Sequence, residues 1–320
     1  MEYLKIPKAG IKASRIGLGT QPMGDHQEEL GIQTITSAID QGINLIDTAP
    51  VYGRGRSEKI VGEALQHLDR EELVVNTKTG LDYEREIVRD GTPERILKDI
   101  DTSLKRLNTD YVDVLQVHWP DPIHPLEDTA ETMNKLLNEG KIRAIGVSNF
   151  NVEQMEIFSQ NAEISTCQMP YNIFEREIER DVISYCQKND ITLLAYRSLC
   201  QGLLTGKLID DTDYSRHSVK KDDPKFKPPR YQQYLQAVRE LDEIAKEHGR
   251  GVLDLAINWI LANDNTVALW GAWKPEYLHE ANDVLGWEID RSLINRVDKV
   301  VNENVKDPVG PEFLAPPTRK

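Results

Sequence analysis

Gly42-Ile43-Asn44-Leu45-Ile46-Asp47-Thr48-Ala49-Pro50-Val51-Tyr52-Gly53 begins as an apolar run and ends in an acid, a turn and a tyrosine. Ile43 to Ile46 reads as a buried strand, and Pro50 and Gly53 force irregular backbone just beyond it. Asp47 is therefore expected at a strand end, with Tyr52 on the loop that follows. In a barrel of alternating strands and helices, that end is where chemical groups collect.

The same alternation extends in both directions. Upstream, Ile16 to Gly19 is a short apolar run, followed by a helix over about Leu30 to Gln41 that Gly42 closes. Downstream, Ser57 is placed to cap a helix whose apolar face is Ile60, Val61, Ala64, Leu65 and Leu68. Leu73 to Lys78 is a third strand. Thr92 with Pro93 starts the next helix, and Val112 to Val117 is a fourth strand ending at His118. A helix over Asp128 to Glu139 precedes a fifth strand, Arg143 to Val147, that ends in Ser148-Asn149. Asn151 and Gln154 have the spacing of a capping box. The sixth strand, Ile164 to Cys167, ends in Gln168. After a helix near Arg180 to Lys188 comes the seventh, Ile191 to Ala195, ending in Tyr196. Asp210 to Arg230 reads as a charged, proline-containing excursion. Helices at about Tyr231 to His248 and Leu253 to Ala262 lead to the eighth strand, Thr266 to Leu269. A last barrel helix is expected after Pro275 and another over Ser292 to Val301. The sum is an α/β fold: one (β/α)8 TIM barrel domain over residues 1–320 with an extra C-terminal helix and a tail, Asp307 to Pro311 onward, strapped over the surface.

Composition narrows the function. A formal net charge of −14 argues against a surface built for nucleic acid or acidic membranes. No charged-plus-apolar leader stands at Met1-Glu2-Tyr3 and no apolar run approaches about 18 residues, so a cytoplasmic protein is expected. Cys167, Cys186 and Cys200 have neither pairing nor metal spacing and read as reduced thiols.

Strand ends two, three and four deliver Asp47, Lys78 and His118, with Tyr52 beyond the second. A free phenol has a pKa of about 10, too high for a good proton donor near neutrality. A lysine cation beside it is expected to lower that value, and an aspartate would keep the lysine charged. A histidine can hydrogen-bond the same substrate oxygen. Each residue alone fits a structural ion pair or a satisfied loop histidine. Four at successive strand ends on one face favour chemistry.

Several segments together resemble the aldo-keto reductase superfamily. They are Gly17-Leu18-Gly19-Thr20, Asn44 to Ala49, Tyr52-Gly53, Val117-His118-Trp119-Pro120-Asp121, Ile145 to Phe150, Gln168-Met169-Pro170-Tyr171-Asn172 and Gly202 to Lys207. The ending from Asp307 to Phe313 with Ala315 to Arg319 is similar to the bacterial general-stress and inositol-type branch. The resemblance implies NADP(H)-dependent, reversible reduction of aldehydes or ketones, by a monomer or weak homo-oligomer acting on a small-molecule carbonyl. It implies Tyr52 as general acid, Lys78 and Asp47 as its tuners, and His118 as an orienting donor. Ser148, Asn149 and Gln168 would read the nicotinamide amide and Tyr196 would stack on its ring. Gly19, Thr20 and Asp47 would border the cofactor, and Arg197, Ser198, Leu199, Gln201 and Gly202 would follow the pyrophosphate, with Arg197, in place of the small residue usual there, adding a direct charge contact and Lys207 near.

Departures from the family pattern fall on the opposite rim. Beyond strand eight, Gly271, Ala272, Trp273, Lys274, Tyr277 and Glu280 stand where the adenosine end would bind. Trp273 replaces an arginine that commonly stacks on adenine, which leaves Lys274 as the main cation for a 2′-phosphate. NADPH is expected, with NADH as a weaker or dual cofactor. Gln21-Pro22-Met23-Gly24-Asp25-His26 runs almost directly into the helix, which predicts a more open, polar mouth with Gln21, Tyr83 and Trp119 as pocket residues. Two other classes remain at this stage. One is an NADP(H)-binding regulatory barrel with little turnover. The other is a metal-dependent barrel with ligands among Asp47, His118, Asp121 and His124.

Overall fold

The apolar runs form the eight strands of a closed parallel barrel in the computed structural model, which describes residues 1–208, 220–278 and 281–319. In chain order they are β1 Ile16–Gly19, β2 Leu45–Asp47, β3 Val74–Thr79, β4 Val114–Val117, β5 Ile145–Ser148, β6 Ile164–Pro170, β7 Thr192–Tyr196 and β8 Thr266–Gly271. Each strand pairs with the next, and β8 closes on β1 from Ala268↔Ile16 to Gly271↔Gly19. The expected strands are all present, with ends shifted by at most three residues.

Helices α1 Glu28–Asp40, α2 Arg56–Leu65, α3 Pro93–Leu107, α4 Leu126–Asn138, α5 Val152–Phe158 and α6 Val182–Lys188 each follow one strand. α7 Arg230–Lys246 and α8 Val252–Leu261 lie between β7 and β8, and α9 Arg291–Asn304 follows the barrel. Their apolar faces and the outer face of the strands share one large core. Thr92 caps α3, with Pro93 in its first turn, and Asn151 and Gln154 form the expected capping box on α5. Ser57 does not cap α2. It lies inside the first turn and donates to the Thr20 carbonyl at 2.5 Å, while Gly55 holds the cap position. The helix expected after Pro275 is, among the described residues, a 3-10 turn over Pro275–Leu278. No helix among the described residues is long and apolar enough to cross a membrane.

The two ends of the barrel are unlike. Strands Tyr3–Ile6 and Ile11–Ser14 pair as a hairpin that the sequence reading did not anticipate. Its Ile6, Ile11 and Ala13 pack on the barrel residues Leu45, Val74, Val114, Leu194 and Val267 and seal the N-terminal floor with apolar surface. The polar strand ends therefore gather at the other mouth. The tail crosses that mouth. The Val309 amide donates to the Tyr234 hydroxyl, and Phe313 lies 5.5 Å from the Arg197 guanidinium. Arg89 bonds the carbonyls of Pro316 and Pro317, and Arg319 reaches Asp90 and Asp121, each at 2.9 Å. Of the expected excursion, residues 210–219 lie outside the described residues. The described remainder forms a 3-10 turn, Pro224–Phe226, capped by the Asp223 carboxylate.

Candidate active site

Side chains alternate along a strand, so the last inward residue of each strand faces the mouth. Asp47 ends β2, Lys78 is the next-to-last residue of β3, and His118 directly follows β4. Tyr52 opens a tight turn, Tyr52–Gly55, in which Gly53, Arg54 and Gly55 all have positive φ. Gly53 must be glycine for a second reason: a Cβ there would stand 2.6 Å from the Gly24 Cα of the loop after β1. That backbone approach, with Met23 and Gly24 buried beneath it, sets where Tyr52 points.

The four side chains converge. Lys78 and Asp47 are buried, at 1% and 4% exposure, and Lys78 Nζ donates to Asp47 Oδ1 at 2.7 Å and to the Thr48 carbonyl at 2.9 Å. Lys78 Nζ is 5.1 Å from the centre of the Tyr52 ring, and the Tyr52 and His118 rings meet edge to face at 6.0 Å. Burial and the Asp47 charge hold the Tyr52 phenol well above its ordinary value. This is opposite to the lowering expected from the lysine alone. The physical reason is the pairing: Lys78 faces the phenol as half of an ion pair, so desolvation of the phenolate decides the direction. Burial also lowers Lys78, against the pull of Asp47. Burial, then the Lys78 charge, pushes His118 well below the usual histidine range, so its imidazole is neutral near pH 7. The set thus holds a protonated phenol and a neutral imidazole beside a buried ion pair.

A second group lies across the mouth. Asn149, at φ 62°, donates to the His118 carbonyl and to Ser148 Oγ, both at 3.0 Å. Its Oδ1 accepts from the Tyr196 hydroxyl at 2.9 Å. Asn149 thereby ties the His118 loop to β7. Gln168 is buried and its Oε1 has no hydrogen-bond partner. A buried acceptor without a partner is costly, and this one suits an incoming amide N–H. Tyr196 is raised by burial and stays a neutral aromatic surface.

Beyond β7 the backbone is strained. Arg197, Cys200 and Gln201 are non-glycine residues at φ 59°, 46° and 54°. What holds them is a buried cluster of four charges. Arg197 bonds Glu175 at 3.1 Å and Asp223 at 2.6 Å, and Lys225 bonds Glu175 at 2.9 Å and Asp223 at 3.3 Å. Gln201 donates to Asp223 at 2.9 Å. The charge that the sequence reading offered to a pyrophosphate from Arg197 is therefore already matched by two carboxylates. The Ser198 and Leu199 amide N–H groups have no partner among the described residues and remain available to an anion. Gly202 and Leu204 donate back to the Leu199 carbonyl, and Lys207 is exposed beyond that turn.

The β8 loop is a small aromatic stack. Trp273 lies flat on His26 with ring centres 3.6 Å apart and planes 13° apart, and it meets Tyr277 edge-on at 5.7 Å. Lys274 Nζ sits 4.5 Å from the Trp273 ring and 5.7 Å from the Tyr277 ring. One face of the indole is thus covered by His26. The loop after β1, expected to leave this side open, instead reaches across to it, while Gln21 stays exposed. Gly271 pairs with Gly19, and the Ala272 amide donates to the Gly19 carbonyl at 3.3 Å. Thr20 is buried and donates to the Asp47 carbonyl at 3.0 Å. Glu280 lies outside the described residues. Among the expected pocket residues, Trp119 is half-buried with Arg89 5.5 Å from its ring, whereas the Tyr83 hydroxyl is engaged by Arg106 at 3.1 Å.

His26 and Asn76 were missed from sequence. His26 carried no signal, since nothing in the chain links it to Trp273. Asn76 did: it stands two residues before Lys78 and so shares its face. Among the described residues, no three His, Cys, Asp or Glu side chains form a metal-holding group. Asp121 is taken up by Arg319 and by the Gly91 amide, and His124 lies 3.4 Å from Asp128.

Comparison with known proteins is consistent with this geometry. A sequence profile of the Aldo/keto reductase family matches residues 15–302. The aldo-keto reductase YhdN of Bacillus subtilis (strain 168) is 47% identical over 329 aligned residues, covering 100% of this chain and 99% of its own. The NADH-specific methylglyoxal reductase of Escherichia coli (strain K12) is 33% identical, over 88% of this chain and 92% of its own. Among solved structures, the glycerol dehydrogenase AKR11B4 from Gluconobacter oxydans superposes with a TM-score of 0.89 at 41% identity, covering 97% of this chain and 98% of its own. An aldo-keto reductase from Klebsiella pneumoniae in complex with NADPH superposes with a TM-score of 0.74 at 27% identity, covering 100% and 98%.

Proposed function

The chain belongs to the aldo/keto reductase family, and from that premise we propose that it is an NADP(H)-dependent oxidoreductase that reduces aldehydes and ketones to alcohols. The observation that carries this reading is the convergence of Tyr52, His118 and the Lys78–Asp47 pair at one polar mouth.

The bound dinucleotide would supply a hydride to the carbonyl carbon. The residues present suit such a group. Gln168 Oε1 is a buried acceptor without a partner, ready for an amide N–H. Ser198 and Leu199 offer unpartnered amides to a pyrophosphate, and Tyr196 offers a neutral ring. Lys274 is the cation on the β8 loop. We assign it to the 2′-phosphate, which makes NADPH the preferred cofactor and leaves NADH usable. The relative named as NADH-specific keeps that second cofactor within the family's range.

Tyr52 is the general acid in this reading. Its phenol stays protonated in the resting site, where burial and Asp47 disfavour the phenolate, and its proton leaves only toward the strongly basic alkoxide that arrival of the hydride creates. As negative charge develops on the carbonyl oxygen, the phenol transfers its proton to that oxygen. Lys78 then steadies the phenolate left behind. The neutral His118 imidazole donates to the same oxygen and orients it. All of these groups belong to one barrel, so we place the activity in a single domain.

The test is a steady-state reduction assay, following NADPH and NADH consumption over a small panel of aldehydes and ketones. Turnover of at least one carbonyl, faster with NADPH, is expected. Tight NADPH binding without reduction of any panel member would refute the catalytic reading.

A further inference from the structure

Below the mouth, a line of amide and hydroxyl groups crosses the barrel interior. Asp47 on β2 and Asn76 on β3 are register partners, and Asn76 and Lys78 lie on the same face of β3. Asp47 Oδ1 therefore receives two donors, Lys78 Nζ at 2.7 Å and Asn76 Nδ2 at 2.5 Å. Asn76 Nδ2 also donates to Gln116 Oε1 at 3.0 Å, and Gln116 Nε2 donates to Thr166 Oγ1 at 3.1 Å. Asn76, Gln116 and Thr166 are fully buried.

Two features indicate that this line is directional. Asn76 Nδ2 donates to Asp47 Oδ1 on one side and to Gln116 Oε1 on the other, which commits both amide hydrogens and leaves Asn76 Oδ1 buried without a partner. A reversed amide would set its oxygen against the Asp47 carboxylate. The second feature is on β5, which lies between Gln116 and Thr166. Its residue in register with both is Gly146. A Cβ at that position would stand 2.3 Å from Thr166 Oγ1 and 2.6 Å from Gln116 Cγ. Only the absence of a side chain lets Gln116 reach across.

We propose that Asn76 is a positioning residue for the reduction: its amide, aligned by Gln116 and Thr166, fixes the Asp47 carboxylate and through it the Lys78 ammonium. This rests on the roles given above to Tyr52 and Lys78. Lys78 has one side-chain acceptor, Asp47, and one backbone acceptor, the Thr48 carbonyl. When Asn76 no longer aligns Asp47, the ammonium loses its fixed distance from Tyr52, and stabilisation of the phenolate weakens. Asn76 itself lies below the mouth, so the loss falls on the proton step much more than on binding of cofactor or carbonyl.

The experiment compares Asn76→Ala, Thr166→Val and Tyr52→Phe with the unmodified chain, using NADPH and 4-nitrobenzaldehyde as probes. For Asn76→Ala, kcat falls on the order of 10-fold or more, the effect of losing a hydrogen bond to a charged group. The aldehyde KM and the NADPH Kd stay within about two-fold. The solvent deuterium isotope effect on kcat rises because proton donation is slowed. Thr166→Val keeps the side-chain shape and removes only the distal acceptor. It gives a smaller loss of the same kind, and it decides the question if Asn76→Ala does not fold. Unchanged kcat and isotope effect in the folded variants, with loss of thermal stability alone, would overturn the proposal. Tyr52→Phe separates the two levels. If it abolishes turnover while Asn76→Ala does not, only the role of Asn76 fails; if it turns over normally, the reading of the site itself fails.

Discussion

Replacing Glu175 by glutamine should destabilise the barrel and loosen its cofactor loop at once. Glu175 accepts from Lys225 and Arg197, both of which also bond Asp223, and Glu175, Asp223 and Lys225 are fully buried. The substitution keeps the shape and leaves two buried cations on one carboxylate. Breaking a buried pair from one side costs about 3–5 kcal/mol. An unfolding entropy of about 2.1 cal/mol/K per residue over 320 residues gives roughly 0.7 kcal/mol/K, so Tm should fall by about 4–8 °C. Because the cluster also restrains the left-handed backbone at Arg197 and Gln201, affinity for NADPH and NADH should fall together. Calorimetry and dinucleotide titration test both effects. The double variant Glu175→Gln/Lys225→Met restores charge balance and should recover much of the lost Tm. A Tm within about 1 °C of the parent, or a double variant no better than the single, would refute this reasoning.

Lys274→Ala should raise the NADPH Kd roughly 10- to 100-fold, the scale of a lost charge-assisted contact, and leave NADH nearly unchanged in the same titration. Asp99, which accepts from Thr79 Oγ1 at 2.9 Å beside Lys78, tests the electrostatics of a buried carboxyl next to the site. Burial pushes its carboxyl up to about 7, against the opposing pull of Arg95. The folded state therefore keeps a proton that the unfolded chain releases above its ordinary carboxylate value. Stability from this group is full at low pH and declines by up to about 1.4 kcal/mol per pH unit until pH reaches about 7. Asp99→Asn should flatten that decline in denaturant titrations at pH 5, 6 and 7; an unchanged slope would count against the assignment.

The barrel was legible because each strand is an apolar run bounded by turn residues, and caps such as Thr92 and Asn151 act locally. The N-terminal hairpin was hidden because its strands, Tyr3–Ile6 and Ile11–Ser14, depend on the barrel floor for burial. The strand-end set Asp47, Lys78 and His118 could be placed from position alone, since strand ends in a barrel share a mouth. Arg197 could not. Its charge looked available because Glu175, Asp223 and Lys225 come from other loops, and their convergence is a tertiary fact. Trp273 and His26 failed for the same reason, being 247 residues apart in the chain (273 − 26). The direction of the Tyr52 shift was misjudged because the sequence names the neighbouring cation but not how completely its partner matches it.

The role of Tyr52 is tested most directly by single-turnover reduction of 4-nitrobenzaldehyde in a Tyr52→Phe variant saturated with NADPH. NADPH should bind as tightly as to the parent, and the rate should fall roughly 10²- to 10⁴-fold, the range for loss of a positioned general acid. A variant that binds NADPH and reduces the aldehyde at near the parent rate would contradict the assignment.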